Sequence, residues 1–356
     1  MIVEPFDVQG NHREVGLAIG RQTAESVHSL FDEYQFLQED LLPFYRTSVG
    51  HGYYQAFLKL HQEQFPEYIS ELEGIAEGAN RSFIELFLVN LRGEFRGLIR
   101  NLSPDDNERE EDVKSCTDCM ILSPEMALIG HNEDGTPAAL GKLFLVSITV
   151  DNNRRFTALC YPGFLPGNAC CHNEAGILHT INALNPLDVT VGFGRNFLAR
   201  SLLEAGSIED AVKRVTVPGR AAGFNYNIGS ISERRLISLE VSPERHAIHE
   251  VNGVYFHTNH YLEIPAIDQE ISTSSTVRLE RALNLYESSS SMDTTRVLEI
   301  LGDQEDRDFP IFRDASPPDP AATLCTTLFD LDDRKFHVFW GHPLGETEKT
   351  IRSLGD

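Results

Sequence analysis

Two cysteines, Cys116 and Cys119, form a Cys-x-x-Cys pair inside the stretch EEDVKSCTDCMILSPEMALIGHNEDG, residues 110–135. An acidic segment precedes them and a strand-like run follows. Three chemistries compete for such a thiol: a redox or metal pair, a buried structural residue, and a nucleophile hidden inside the chain. A redox pair of the thioredoxin kind opens a helix within a parallel βαβ unit, and here a strand follows instead. A structural zinc site wants a second Cys/His pair at similar spacing. The CC at 170–171 and the HTNH at 257–260 do not supply one. No metal site and no organic cofactor is expected.

The nucleophile reading has more support. Cys116 follows a small residue, Ser115, where a polar loop meets the first strand. Cutting the Ser115–Cys116 bond would leave Cys116 as a chain terminus carrying both a thiol and an α-amine. Such an amine has a reference pKa of about 8, so it can serve as the thiol's own base near neutral pH. Each residue also has a plainer reading. A strand cysteine is usually core, and Cys119 is read that way. Asp134 in NEDG could shape a turn. Asn259, between His257 and His260, could cap or turn the chain.

Motif order adds to this reading. SCTDCMILSPEMALIGHNED resembles the opening of the catalytic chain in the penicillin acyltransferase and Tan-like family of cysteine N-terminal-nucleophile hydrolases. GNHREVGLAIG, NLRGEF, HNEAGILHTINALN, FHTNHYL and ATLCTTLFDLDDRKFHVFWGHP are similar to further family segments, in order along nearly the whole chain. The resemblance implies an α+β fold, a four-layer αββα sandwich of two antiparallel sheets flanked by helices. It implies one domain over 1–356, cut by its own chemistry into an α chain (1–115) and a β chain (116–356).

Carried over residue by residue, the family's cysteine falls on Cys116. Its Asp, eighteen residues on in GQNWD, falls on Asp134 in GHNED. Its Asn in HTNH falls on Asn259. Asn182 in TINAL is a second candidate donor, because similar folds in bile-salt hydrolases place an Asn there. Arg278 in SSTVRLERA resembles a supporting arginine. One position departs: the family usually has Gly before the nucleophile, where this chain has Ser115, and Gly adopts strained backbone more cheaply. In these roles Cys116 attacks an amide carbonyl, Asn259 donates to the oxyanion, and Asp134 orients the α-amine. The activity implied is hydrolysis of a linear non-peptide amide, of N-acyl amine or N-acyl amino acid type, through an acyl-enzyme and without a cofactor. An acyltransferase passing the acyl group to an amine is the alternative, and an uncleaved, non-catalytic binding protein is another.

Elements must position these residues. Residues 1–10 alternate like a strand, and residues 10–42 read as one long helix. Two or three more helices follow to about residue 99, with Pro66 interrupting one. The acidic NLSPDDNEREEDVK is a solvated loop. After Cys116 come short β-branched runs joined by turns, the mark of an antiparallel sheet. NFLARSLLEAGSIEDAVKRV gives a helix pair in which Ser207 and Asp210 form a capping box. FNYNIGSISERRLISLEVSP and the last segment are hairpins with polar turns. STVRLERALNLYESS is an amphipathic helix.

Composition bounds the partners. Asp+Glu number 54 against Lys+Arg 30, a formal charge of −24. That field disfavours nucleic acid and anionic membrane and mildly favours cationic small molecules. No apolar run approaches the ~20 residues of a membrane span, and the N-terminus lacks a signal-peptide pattern. A cytoplasmic protein with free thiols is expected, acting on a small-molecule amide. Its partners are its own α and β chains, with homo-oligomerisation left open.

Overall fold

The computed structural model describes residues 3–102, 115–151, 154–289 and 291–355. Of the acidic loop expected over residues 101–114, Asn101 and Leu102 instead close a helix, and residues 103–114 lie outside the described residues. One strand, β1 (Val3–Gly10), precedes a helical layer of α1 (His12–Gln22), α2 (Ala24–Glu33), α3 (Leu42–Arg46), α4 (Ser48–Gln64), α5 (Pro66–Gly78), α6 (Phe83–Asn90) and α7 (Arg92–Leu102). The long helix expected over 10–42 is therefore broken. Thr23 ends α1, its hydroxyl donating to the Ile19 carbonyl, the local side-chain competition that disfavours Thr inside helices. A π-helical turn at Leu37–Leu41 then precedes α3. Pro66 begins α5, where its missing N–H costs nothing.

Helices α1 and α5 cross at glycines. A Cβ on Gly16 would lie 2.0 Å from the Glu71 carbonyl oxygen, and one on Gly78 would lie 2.3 Å from that of Leu17. The small-residue stripe lets the two backbones touch. It also brings the buried Glu71 carboxylate to Arg200 (2.9 Å) and His12 (2.7 Å).

The remaining chain makes two sheets. The strands are β2 (Cys116–Leu122), β3 (Ala127–Gly135), β4 (Phe144–Val150), β5 (Arg154–Cys160), β6 (Cys171–Asn173), β7 (Ile177–Leu184), β8 (Gly223–Ser230), β9 (Arg235–Val241), β10 (His246–Glu250), β11 (Gly253–His257), β12 (Ala322–Asp330), β13 (Lys335–Phe339) and β14 (Lys349–Ser353). The eight-stranded sheet runs β1-β4-β5-β6-β7-β8-β9-β10 and the six-stranded sheet β11-β2-β3-β12-β13-β14. Among the described residues every ladder between these strands is antiparallel except β1 with β4, which is parallel. The whole helical layer separates those two strands, and a parallel pair needs such a long connection. The expected polar hairpins join β8 to β9 and β12 to β13, with Arg234 and Arg334 at φ +46° and +52°.

Four further helices complete the layers: α8 (Arg195–Leu202), α9 (Ile208–Val215), α10 (Thr273–Glu287) and α11 (Thr294–Leu301). An apolar cluster of Ile181, Leu198, Ala211, Tyr226 and Ile237 seats α8 and α9 on the large sheet. Another, of Cys119, Leu128, Ala282, Val297 and Leu301, seats α10 and α11 on the small one. The result is the α+β, four-layer αββα arrangement. The capping box of α9 is one-sided. Ser207 accepts from the Asp210 N–H, while the short Asp210 carboxylate takes the Gly206 N–H. Between β10 and β11 the chain passes from one sheet to the other within Val251 and Asn252. Among the described residues no helix is long and apolar enough to cross a membrane.

Candidate active site

The hairpin of β2 and β3 sets Cys116 opposite Glu133 and Asp118 opposite His131. Successive side chains on a strand point to opposite faces, so these four share one face and Thr117, Cys119, Asn132 and Asp134 share the other. The second set turns to the helices: Asn132 Nδ2 donates to the Leu301 and Ile311 carbonyls, 2.8 and 3.0 Å away. The first set turns inward and is knit together.

His131 is the hub of the inward face. Its Nδ1 donates to Asp118 Oδ2 (2.9 Å) and its Nε2 to Glu133 Oε2 (3.1 Å). Tyr161 donates to Glu133 Oε1 (2.6 Å). Thr180 and Asn182 donate to Asp118, and Asn225 and Asn227 in turn donate to Asn182 Oδ1. Burial works against a charged imidazole here. The charges of Asp118 and Cys170 and the hydrogen bonds of Asp118 and Cys116 more than offset it, holding His131 well above its ordinary pKa. Burial, with the charge of Glu133, pushes the Cys116 thiol up to about 12, while His131 pulls it the other way. Cys116 Sγ, a His131 ring nitrogen and a Glu133 oxygen lie within 4.8 Å of one another, a donor set able to hold a metal ion.

A second group surrounds the Ser115–Cys116 peptide itself. The Cys116 N–H donates to Asn259 Oδ1 (2.8 Å). Arg278 on α10, wholly buried, donates to the same oxygen (2.8 Å), to the Cys116 carbonyl (2.7 Å) and to the Thr117 hydroxyl (2.7 Å). Burial lowers the Arg278 pKa to about 10, which leaves it charged near neutral pH. Asn259 Nδ2 makes one long contact, 3.3 Å, to the Ala183 carbonyl. On the other side the Asp134 N–H donates to the Ser115 carbonyl (3.1 Å). The Asp134 side chain accepts from Thr323 (2.7 Å) through Oδ1, and its Oδ2 is buried with no hydrogen-bond partner among the described residues. Burial outweighs the charges of Arg313 and Arg278 and raises this carboxyl to about 7.

Ser115, Cys116, Asp134, Asn259 and Arg278 thus converge on one peptide bond. Asn182 does not join them directly, because its amide is spent on Asp118 and the asparagines of β8. Asp118, His131 and Glu133 are absent from the residues that the sequence motifs single out. Their signal is the two-residue spacing in HNE and CTD, which places them on the thiol's face once the hairpin register is known.

A family model for acyl-coenzyme A:6-aminopenicillanic acid acyl-transferase matches residues 121–344. The chain belongs to this family. The matched span takes in Asp134, Asn182, Asn259 and Arg278 and begins just beyond Cys116. Among curated relatives of this acyltransferase-family chain, the beta-alanyl-dopamine/carcinine hydrolase of Drosophila melanogaster is 25% identical over 370 residues. That match covers 97% of this chain and 94% of the fly protein. The 40 kDa form of the acyl-coenzyme A:6-aminopenicillanic-acid-acyltransferase of Emericella nidulans is 28% identical over 206 residues, covering 56% and 54%. Among solved structures, an N-acylethanolamine-hydrolyzing acid amidase ortholog from Caenorhabditis elegans aligns at TM-score 0.42 and 11% identity. It covers 61% of this chain and 93% of its own. A mutant of the conjugated bile acid hydrolase of Clostridium perfringens aligns at 0.42 and 11%, covering 67% and 92%. The two curated relatives are named as a hydrolase and as an acyltransferase, and this chain is an enzyme.

Proposed function

We propose that this chain is a cysteine amidohydrolase that cuts its own Ser115–Cys116 bond and then hydrolyses a linear N-acyl amine. One observation carries the reading: Asn259 holds the nitrogen of the Ser115–Cys116 peptide while the Asp134 N–H holds its carbonyl. A peptide gripped at both ends is set for attack by the adjacent Cys116 sulfur. As the sulfur bonds to the Ser115 carbonyl carbon, negative charge grows on the oxygen that faces the Asp134 N–H. The C–N bond then breaks, and the thiol proton ends on the Cys116 nitrogen, leaving a thioester. Water cleaves that thioester to a Ser115 carboxylate and a Cys116 bearing a free thiol and a free amine.

In the cut enzyme the α-amine takes the thiol proton and the sulfur attacks the substrate carbonyl. Asn259 Nδ2, which among the described residues has only its long contact, turns to the oxyanion, and the substrate's amine leaves with the proton. Water then releases the acyl group. The Asp134 carboxylate faces the new ammonium, with Arg278 fixing Asn259 from behind. An amine in place of water would turn the same intermediate to acyl transfer, the reaction named for the Emericella relative. The fly relative, matched over nearly its whole length, supports hydrolysis at an amine. All six cysteines are free, which fits a reducing compartment such as the cytoplasm.

Denaturing mass spectrometry of the purified protein, incubated with a panel of N-acyl amines, tests this. The expected result is a fragment beginning Cys-Thr-Asp-Cys that gains the mass of the acyl group, while Cys116→Ala stays one chain. A single uncut chain with no adduct on any substrate would refute the proposal and leave a binding protein of the same fold.

A further inference from the structure

Two carboxylates, Asp118 and Glu133, flank the single imidazole that adjoins the thiol, and no arginine is hydrogen-bonded to either of them among the described residues. We propose that Cys116, His131 and Glu133 form a binding site for a thiophilic divalent cation of the zinc class, which holds the nucleophile inactive.

The donor set and its spacing both fit. Sulfur, imidazole nitrogen and carboxylate oxygen are the ligand types zinc takes. Tetrahedral bonds of about 2.0–2.3 Å place ligand atoms about 3.3–3.7 Å apart. His131 Nε2 and Glu133 Oε2 are 3.1 Å apart, and the three donors fall within 4.8 Å. Outer partners are built in as well. Asp118 holds His131 Nδ1 at 2.9 Å, the carboxylate–histidine pairing that aims the other nitrogen at a metal. Tyr161 fixes Glu133 through Oε1 and leaves Oε2 facing the imidazole. Asp118 is itself tied to Thr180 and Asn182.

Access lies on one side. Ser115, Cys116, Glu133 and Asn259 keep 8, 5, 4 and 6% of their surface exposed, whereas His131 and Asp118 keep none. Cys116 and Glu133 are therefore the members of the donor set nearest solvent. Binding sends the thiol proton and the Nε2 proton to solvent, and no electron is transferred. Three protein ligands leave the fourth position to water or, in a cut chain, to the Cys116 amine. The sulfur pair that would attack a carbonyl is then committed to the metal. Only the inhibitory consequence rests on the proposed function; the binding does not.

Cobalt(II) is the probe. Chelator-treated protein titrated with Co2+ should develop a thiolate-to-cobalt charge-transfer band and the strong visible bands of a tetrahedral ion, at one equivalent per chain. Zn2+ should bleach both. Cys116→Ser should abolish the charge-transfer band, while Cys119→Ala, on the opposite face of β2, should keep it. His131→Gln and the isosteric Glu133→Gln should each weaken zinc at least tenfold, and Asp118→Asn roughly 10–100-fold. Thermal melts confirm that each variant is folded. No thiolate band, a band that survives Cys116→Ser, or unchanged zinc affinity in both His131→Gln and Glu133→Gln would overturn the site. Hydrolysis by the metal-free protein is read separately, so a failed site and a failed function give different results.

Discussion

Asn259 meets the Ser115–Cys116 peptide with its oxygen, not its nitrogen, and this separates two roles that mutation can tell apart. Asn259→Ala removes both the acceptor and the donor, so it should slow self-cleavage and lower kcat of any cut enzyme by roughly 10²–10³ with little change in KM. Asn259→Asp keeps an oxygen for the Cys116 nitrogen but has no N–H to give. It should therefore still cut itself while showing the same loss in kcat, and equal cleavage defects in both variants would sink the distinction. Asp134 offers a second readout. Its folded pKa is raised to about 7, against about 4 in an unfolded chain. Between those values the native state holds the proton that the unfolded state has lost. The stabilisation is therefore complete below about pH 4 and is lost as pH rises to about 7. Denaturant melts of the uncut Cys116→Ala chain should show that slope, and Asp134→Asn should flatten it. Cys116, Asp134 and Asn259 are legible from the order of motifs. His131 and Glu133 are not, since nothing in GHNED says which strand lies beside it or in what register. Asn182 reads as a donor for the same reason: its commitment to Asp118 exists only once β2 and β7 face each other across the sandwich.

Periodicity announces most helices and strands, and it fails where side chains compete with the backbone or where two elements meet. Thr23 interrupts a pattern that is otherwise helical from residue 11 onward. Gly16 and Gly20 form a small face on α1, and its partner is a second small face, Gly74 and Gly78 on α5, more than fifty residues away. Gly16→Ala forces a Cβ to 2.0 Å from the Glu71 carbonyl oxygen and should destabilise by about 1–3 kcal/mol, the usual cost of overpacking. Gly52, exposed on α4 with nothing within 4 Å of an added Cβ, is the opposite case. Gly52→Ala should stabilise by roughly 0.5–1 kcal/mol through helix propensity alone. Equal effects from the two changes, read by chemical melts, would show that the α1–α5 contact is looser than drawn.

Across the whole molecule, the large sheet draws strands from both sides of the Ser115–Cys116 bond. β1 pairs with β4, Glu71 with Arg200, and the Glu94 carboxylate accepts from the Arg195 N–H at 2.7 Å. A cut at that bond would leave these contacts in place, so the two pieces should co-elute under native conditions and part only in denaturant. The parallel pairing of β1 then acquires a kinetic meaning. An uncut chain returns from denaturant in a first-order reaction, at a rate independent of dilution. A cut one must first find its other half, because neither piece alone holds the complete sheet, and its recovery should slow in proportion as the protein is diluted. Refolding rate measured over a hundredfold range of concentration, for the cut protein and for Cys116→Ala, compares the two directly. The enzyme would then carry its assembly history in its covalent structure: folded once from a single chain, and dependent on encounter ever after.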